Sequence, residues 1–250
     1  LAVAAGNPGD VAQAQGQTPL RSASEFLSPE LSADQRDELR NRGMLWVEQG
    51  AALWNQPVGT TGQACAACHG TPERSMQDVA ARLPAVDATS GRLINLEGRI
   101  NQCRTQRQNV PALAYESNEL LALTALVARQ SRGLPMNVTD DGLARPFVEA
   151  GRRLWHERQG QLNLACSQCH DANWGKSLAG NPIPQAHPTG YPLYRLEWQT
   201  MGSLHRRLRA CSLGVRADVL DYGAPEYLAL ELYLAWRGEG LPIDSPGVRR

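Results

Sequence analysis

Phenylalanine is almost missing from this 250-residue chain, which has only two. Large apolar volume must therefore come from leucine, from six Trp, or from a group that is not an amino acid. An excess of positive charge is missing too. The 25 Lys and Arg balance 25 Asp and Glu, which argues against nucleic acid as a partner. Lysine is represented by Lys176 alone. No apolar run approaches the ~18 residues that a membrane span needs, and almost nothing alternates as a strand should. Methionine is sparse, at positions 44, 76, 136 and 201. The opening LAVAAG is too short for a secretory signal, and the first residue is Leu1 rather than Met. The expectation is an exported, periplasmic protein whose signal peptide has already been removed.

Six cysteines are present, four of them in two like motifs, CAACH at 65–69 and CSQCH at 166–170. The offset of 101 between these motifs also carries Gly50 onto Gly151 and Trp54 onto Trp155. An offset of 107 carries Tyr115, Glu119 and Leu121–Leu123 onto Tyr222, Glu226 and Leu228–Leu230, and Gly133-Leu134-Pro135 onto Gly240-Leu241-Pro242. An offset of 108 carries Arg99 onto Arg207 and Cys103 onto Cys211. Collinear matches of this kind mean two copies of one unit. The expected organisation is an N-terminal arm over 1–24, a first unit over 25–137 and a second over 138–250, joined by a linker near 136–146.

Each unit reads alike. An amphipathic helix comes first; in copy one Ser32 and Gln35 form a capping box, with Leu39, Leu45 and Trp46 as apolar positions. The CxxCH motif follows, then a loop-rich stretch to a lone cysteine, then a Leu-rich helix. Those last helices are expected over 118–132 and 225–237, with Gly133 and Gly238 as stops and Pro225 in a first turn. Copy two carries a net insertion of six or seven residues within DANWGKSLAGNPIPQAHPTGYPLY. Its four prolines exclude a regular helix and suggest an extended loop over a surface or a cofactor.

Two cysteines three apart can attach to the two vinyl groups of a haem, and the adjoining histidine can reach the iron. Zinc and a redox dithiol are the alternatives for a single CxxCH. Two copies, each between a Gly-xxx-Trp helix and a Leu-rich helix, favour haem. On these residues the chain resembles class I cytochromes c, whose first and last helices cross at a Gly–aromatic contact. The resemblance implies a mainly α chain of two tandem cytochrome c-like domains with long loops, each built around a covalent haem c. Cys65, Cys68, Cys166 and Cys169 would attach the haems, and His69 and His170 would be the proximal iron ligands. No methionine recurs between the units, whereas Cys103 and Cys211 do, each within Arg-[Ile/Leu]-x-x-Cys. The repeat nominates them as distal ligands, and nearby arginine is expected to lower the thiol pKa. A Cys103–Cys211 disulfide is the rival pairing. His187, His205 and Met201 are rival ligands, with His205 more in keeping with a surface base or salt-bridge partner.

The paired Arg-x-x-x-Cys motif, and RRLRAC in the second copy, resemble the SoxA family of thiosulfate-oxidising cytochromes over residues ~25–245. The resemblance implies an L-cysteine S-thiosulfotransferase that joins thiosulfate to a cysteine of a SoxY-like carrier and passes two electrons to cytochrome c. It implies a heterodimer with a small monohaem SoxX-like cytochrome. It also makes the second unit the active one, with Cys211 able to carry an extra sulfur and Arg207 binding substrate. Spacing agrees: Arg207 precedes Cys211 by four residues, one helical face, and a guanidinium fork suits a sulfonate. The alternative is a dihaem electron carrier without catalysis.

Overall fold

A computed structural model describes residues 19–250; most of the expected N-terminal arm lies outside them. Helix α1, Pro29–Arg36, starts at Ser28, whose Oγ accepts from Leu31 N at 3.3 Å, with proline in the first turn. Helix α2 is Met44–Asn55. The expected single helix capped by Ser32 is therefore two. Ser32 lies inside α1 and caps nothing. The chain breaks at Asp37, whose carboxylate accepts from Leu39 N, and at Asn41, whose amide reaches Gln35 O and Pro246 O. Side chains that bond neighbouring backbone in this way compete with the helix. Leu39 is 98% exposed and Leu45 63%, so neither is a core position. The buried residues of α2 are Val47, Gly50 and Trp54.

The single turns α3 (Cys65–His69) and α4 (Pro72–Ser75) follow, then the hairpin β1 (Ala85–Val86) and β2 (Leu93–Ile94). Helix α5, Leu96–Gln106, is capped by Asn95, and α6, Asn118–Gln130, by Ser117. The second half starts alike with α7 (Arg145–His156) and α8 (Cys166–His170), then adds a hairpin of its own, β3 (Ser177–Leu178) and β4 (Asn181–Pro182). Then come β5 (Leu193–Arg195), β6 (Thr200–Gly202), α9 (Leu204–Gly214), capped by Ser203, α10 (Pro225–Arg237) and β7 (Gly247–Arg249). The last Leu-rich helix has the bounds expected, and α6 stops two residues early. The described chain is mainly helical, with the cytochrome c-like order of elements.

Two helix crossings organise the packing, α2 on α6 and α7 on α10. A Cβ on Gly50 would lie 2.2 Å from Ala122 O, and one on Gly151 would lie 2.2 Å from Ala229 O. Only glycine lets these backbones approach so closely. Val148, Gly151 and Trp155 are the buried residues of α7, at the same spacing as in α2. One core gathers Val47, Trp54, Leu121 and Leu126; another gathers Val148, Trp155, Leu232 and Leu234.

The halves meet through their Gly-Leu-Pro segments. Gly133 N donates to Ile243 O and Gly240 N to Met136 O, both at 2.9 Å; Met136 N donates to Leu241 O and Ile243 N to Leu134 O, again at 2.9 Å. Each bond is the offset-107 image of another, so a local two-fold axis passes between Pro135 and Pro242, as at an isologous interface. Tyr115 and Tyr222, an offset-107 pair, stack with ring centroids 6.0 Å apart. A further contact between the halves lies at the last strand. Strand β7 joins β5 in parallel, and Gln35 Oε1 of α1 accepts from Val248 N.

Candidate functional site

Each CxxCH forms one helical turn, which sets the first cysteine and the histidine four residues apart on one face. A tryptophan from the preceding helix backs each histidine, with Trp54–His69 and Trp155–His170 centroids both 5.7 Å apart. The indoles are anchored differently. Trp54 Nε1 donates to Gly70 O at 2.9 Å, and Trp155 Nε1 to the carboxylate of Asp171 at 2.7 Å. Arg237 pairs with that same carboxylate.

His170 Nδ1 donates to Pro184 O at 2.6 Å. The donation fixes the tautomer and leaves the Nε2 lone pair free for a metal. Burial, then Arg207 and Arg237, lower its pKa and keep the ring neutral. Pro184 belongs to the proline-rich insertion, which runs as expected without a helix. His69 is exposed.

Cys103 lies near enough to Cys68, and Cys211 to Cys166, for the thiols to sense each other's charge. Each lone cysteine thus lies near its own CxxCH. All six cysteines are unpaired, so the disulfide rival is not formed. The expectation that arginine lowers the thiol pKa fails at Cys103: burial pushes it up, outweighing Arg99 and Arg107. Met201 and His205 are engaged elsewhere, whereas His187, like His170, bonds a carbonyl through Nδ1 and keeps Nε2 free. Met201 is fully buried in the first core. His187 Nδ1 donates to Arg21 O at 2.9 Å. His205 is 1% exposed, with Nδ1 accepting from Gly223 N at 3.1 Å and Nε2 3.0 Å from Glu231 Oε2. It is a salt-bridge partner, not a surface base.

The two motif arginines differ. Arg99 Nη1 lies 3.2 Å from Asp87 Oδ1 and donates to Gln102 Oε1 at 2.6 Å. Arg207 has no ion pair or hydrogen bond of this kind among the described residues. Burial alone would lower its pKa, but Cys211, Tyr191 and Glu197 hold its charge instead. The difference traces to one position, because an offset of 108 carries Asp87 onto Arg195.

A buried polar cluster at the two-fold interface also escaped sequence reasoning. Asn95 Nδ2 donates to Glu231 Oε2 at 3.0 Å, and Tyr115 Oη to Asn95 Oδ1 at 3.0 Å. Glu97 is 6% exposed. Burial, then the charge of Glu231, push its pKa up to about 7. Its image at offset 108 is His205, a signal the repeat alignment held.

These residues fit a covalent haem: paired thiols, an imidazole with a free nitrogen, an aromatic wall behind it and a further thiol nearby. An open cavity of about 820 Å³ touches His170, Gln185, His187 and Arg237. A CxxCH turn seated in this way under two crossed helices defines a c-type cytochrome, with haem c bound covalently.

Comparison with known proteins narrows the class. A model of the SoxA/TsdA cytochrome c domain matches residues 49–136. The chain is 37% identical over 230 residues to the L-cysteine S-thiosulfotransferase subunit SoxA of Rhodovulum sulfidophilum, covering 92% of this chain and 80% of that protein. It is 35% identical to the subunit of the same name from Paracoccus pantotrophus, covering 86% and 74%. The crystal structure of SoxXA from P. pantotrophus superposes with a TM-score of 0.89 at 34% identity, over 92% of this chain and 87% of that one. The chain belongs to the SoxA family, the L-cysteine S-thiosulfotransferase subunits of thiosulfate-oxidising cytochromes.

Proposed function

We propose that the chain consists of two cytochrome c-like units, 25–137 and 138–250, each carrying one haem c, and that the second unit conjugates thiosulfate to a carrier cysteine. Cys65 and Cys68 would attach the first haem, and His69 and Cys103 would hold its iron. Cys166 and Cys169 would attach the second, and His170 and Cys211 would hold its iron. When bound, the haem supplies a one-electron acceptor whose potential an anionic thiolate ligand lowers. The chain's own residues do the rest. Arg207 binds the thiosulfate sulfonate through two guanidinium N–H groups and directs the sulfane sulfur towards the Cys211 sulfur, where sulfur is held. Pro184 O keeps His170 oriented. The overall reaction forms one S–S bond between the sulfane sulfur and the carrier thiol and breaks the S–H bond of that thiol. It releases the proton to water and two electrons to a c-type cytochrome.

One observation carries this reading: among the described residues Arg207, one turn before Cys211, has no carboxylate bonded to it, whereas its image Arg99 is tied to Asp87. The match to a SoxXA structure supports a small monohaem SoxX-like cytochrome as heterodimer partner. The SoxA family supports thiosulfate, a SoxY-like carrier and a periplasmic setting. No helix among the described residues is long and apolar enough to cross a membrane.

The test is Arg207→Ala beside Arg99→Ala, assayed with thiosulfate, a carrier cysteine and a cytochrome acceptor. Losing a charge-assisted contact of about 1.5–3 kcal/mol lowers catalytic efficiency by about one to two decades for Arg207→Ala only. Equal losses would move the reaction to the first unit or to both. An inert Arg207→Ala would favour plain electron transfer. Intact mass spectrometry should show two haem additions.

A further inference from the structure

The turn of the β5–β6 hairpin holds Arg195, Glu197 and Trp198 against the start of α9. Arg195 is 9% exposed, and its Nη2 donates to Glu197 Oε2 at 2.7 Å. The Arg195 guanidinium lies 5.1 Å from the Trp198 ring centroid, and the Arg206 guanidinium of α9 lies 4.4 Å from it. Gly202 makes room, since a Cβ there would come within 2.4 Å of the indole. The hairpin turn is thus fastened to the first turn of α9, beside Arg207. Glu197 is a carboxylate whose charge Arg207 senses, yet it is bonded to Arg195. Other cations nearby are engaged: Arg206 faces Glu116 at 3.7 Å, and Arg249, opposite Arg195 on β7, is bonded to Gln35 and faces Asp244.

The first unit uses the same hairpin differently. There Asp87 stands at the Arg195 position and pairs directly with Arg99. One frame offers its motif arginine a carboxylate; the other offers an arginine that takes a carboxylate up.

We propose that Arg195 is a positioning residue for thiosulfate binding: it clamps Glu197 on the hairpin, keeps that carboxylate off Arg207, and leaves the Arg207 guanidinium to the sulfonate. This rests on the reading that Arg207 holds thiosulfate. Without the clamp, Glu197 folds onto Arg207, competes with the substrate and repels the incoming dianion. The effect falls on binding rather than on sulfur transfer.

The experiment uses the full chain with its partner cytochrome and varies thiosulfate in steady-state assays. Arg195→Ala raises KM for thiosulfate by about tenfold, as like-charge opposition at a binding site does, with kcat within about twofold. Arg195→Ala/Glu197→Ala returns KM to within about threefold of the parent, and Arg195→Lys stays near the parent. An unchanged KM in Arg195→Ala overturns the proposal. So does a double variant as impaired as the single one, since it makes the role of Arg195 structural. If Arg195→Ala does not fold, Arg195→Gln carries the same comparison. Arg207→Ala in the same series separates the two ideas. If it is impaired and Arg195→Ala is not, only the clamp fails; if it is inert, the binding role of Arg207 fails.

Discussion

In the first unit, Cys68 and His69 lie at the surface and Arg99 is bound to Asp87. In the second, His170 is half-buried with Nδ1 on Pro184 O, and Arg207, beside Cys211, has no bonded carboxylate among the described residues. The packing frame beneath is the same, down to the carbonyl that would lie 2.2 Å from a Cβ at either glycine and the 5.7 Å Trp–His distance in both halves. Both halves keep what crossing two helices demands, because a buried glycine contact tolerates no added atom. The chemistry diverged where side chains come from loops: the insertion that supplies Pro184, and the hairpin end that carries Asp87 in one unit and Arg195 in the other.

The comparison can be broken at its cysteines first. Cys211→Met is expected to abolish conjugation while keeping a six-coordinate haem, because a thioether forms no sulfur adduct. Cys103→Met should leave most turnover. Assay and visible spectra of both decide it, and an active Cys211→Met would end the assignment of sulfur chemistry to the second unit. The shared frame is tested next. Gly50→Ala and Gly151→Ala should each cost about 3 kcal/mol, overpacking against backbone that cannot yield, and equal falls in Tm would confirm equivalent crossings.

The two-fold interface gives a pH-dependent difference. Glu97 has its folded pKa raised, so its stabilising share is complete below the usual carboxylate range and is lost as pH rises through about 7. His205, also raised, by Glu231 and Glu97 against burial, loses its share with rising pH too. Glu97→Gln should therefore gain on the parent at pH 8, on the order of 2–3 kcal/mol, and show no gain at pH 4. Denaturant midpoints at the two pH values check this. The smallest contrast lies behind the histidines. Trp155→Phe loses a bond to a carboxylate, about 2 kcal/mol, and Trp54→Phe one to a carbonyl, about 1 kcal/mol. Thermal melts should rank them in that order.

Much of the fold was legible because the chain states it twice. The offsets that aligned Gly50 with Gly151 and the Leu-rich segments with each other also pair Gly50 with Ala122 and Gly151 with Ala229 in space. The start of the first unit misled, because Ser32–Gln35 has the capping-box spacing but Ser28 and Pro29 take the cap first. At the site, spacing placed Arg207 and Arg99 identically, each four residues before a cysteine.

The sequence by itself determined the repeat, the two CxxCH turns, the glycine-tryptophan helices and the Leu-rich helices, all of them local patterns with a helical period or a fixed spacing. Tertiary structure alone decided which arginine is neutralised, that His205 lies buried against Glu231, and that the Gly-Leu-Pro segments join across a two-fold axis. Those depend on contacts between residues from 12 to more than 100 positions apart. No local rule specifies them, because burial and charge pairing are set only once the helices have crossed.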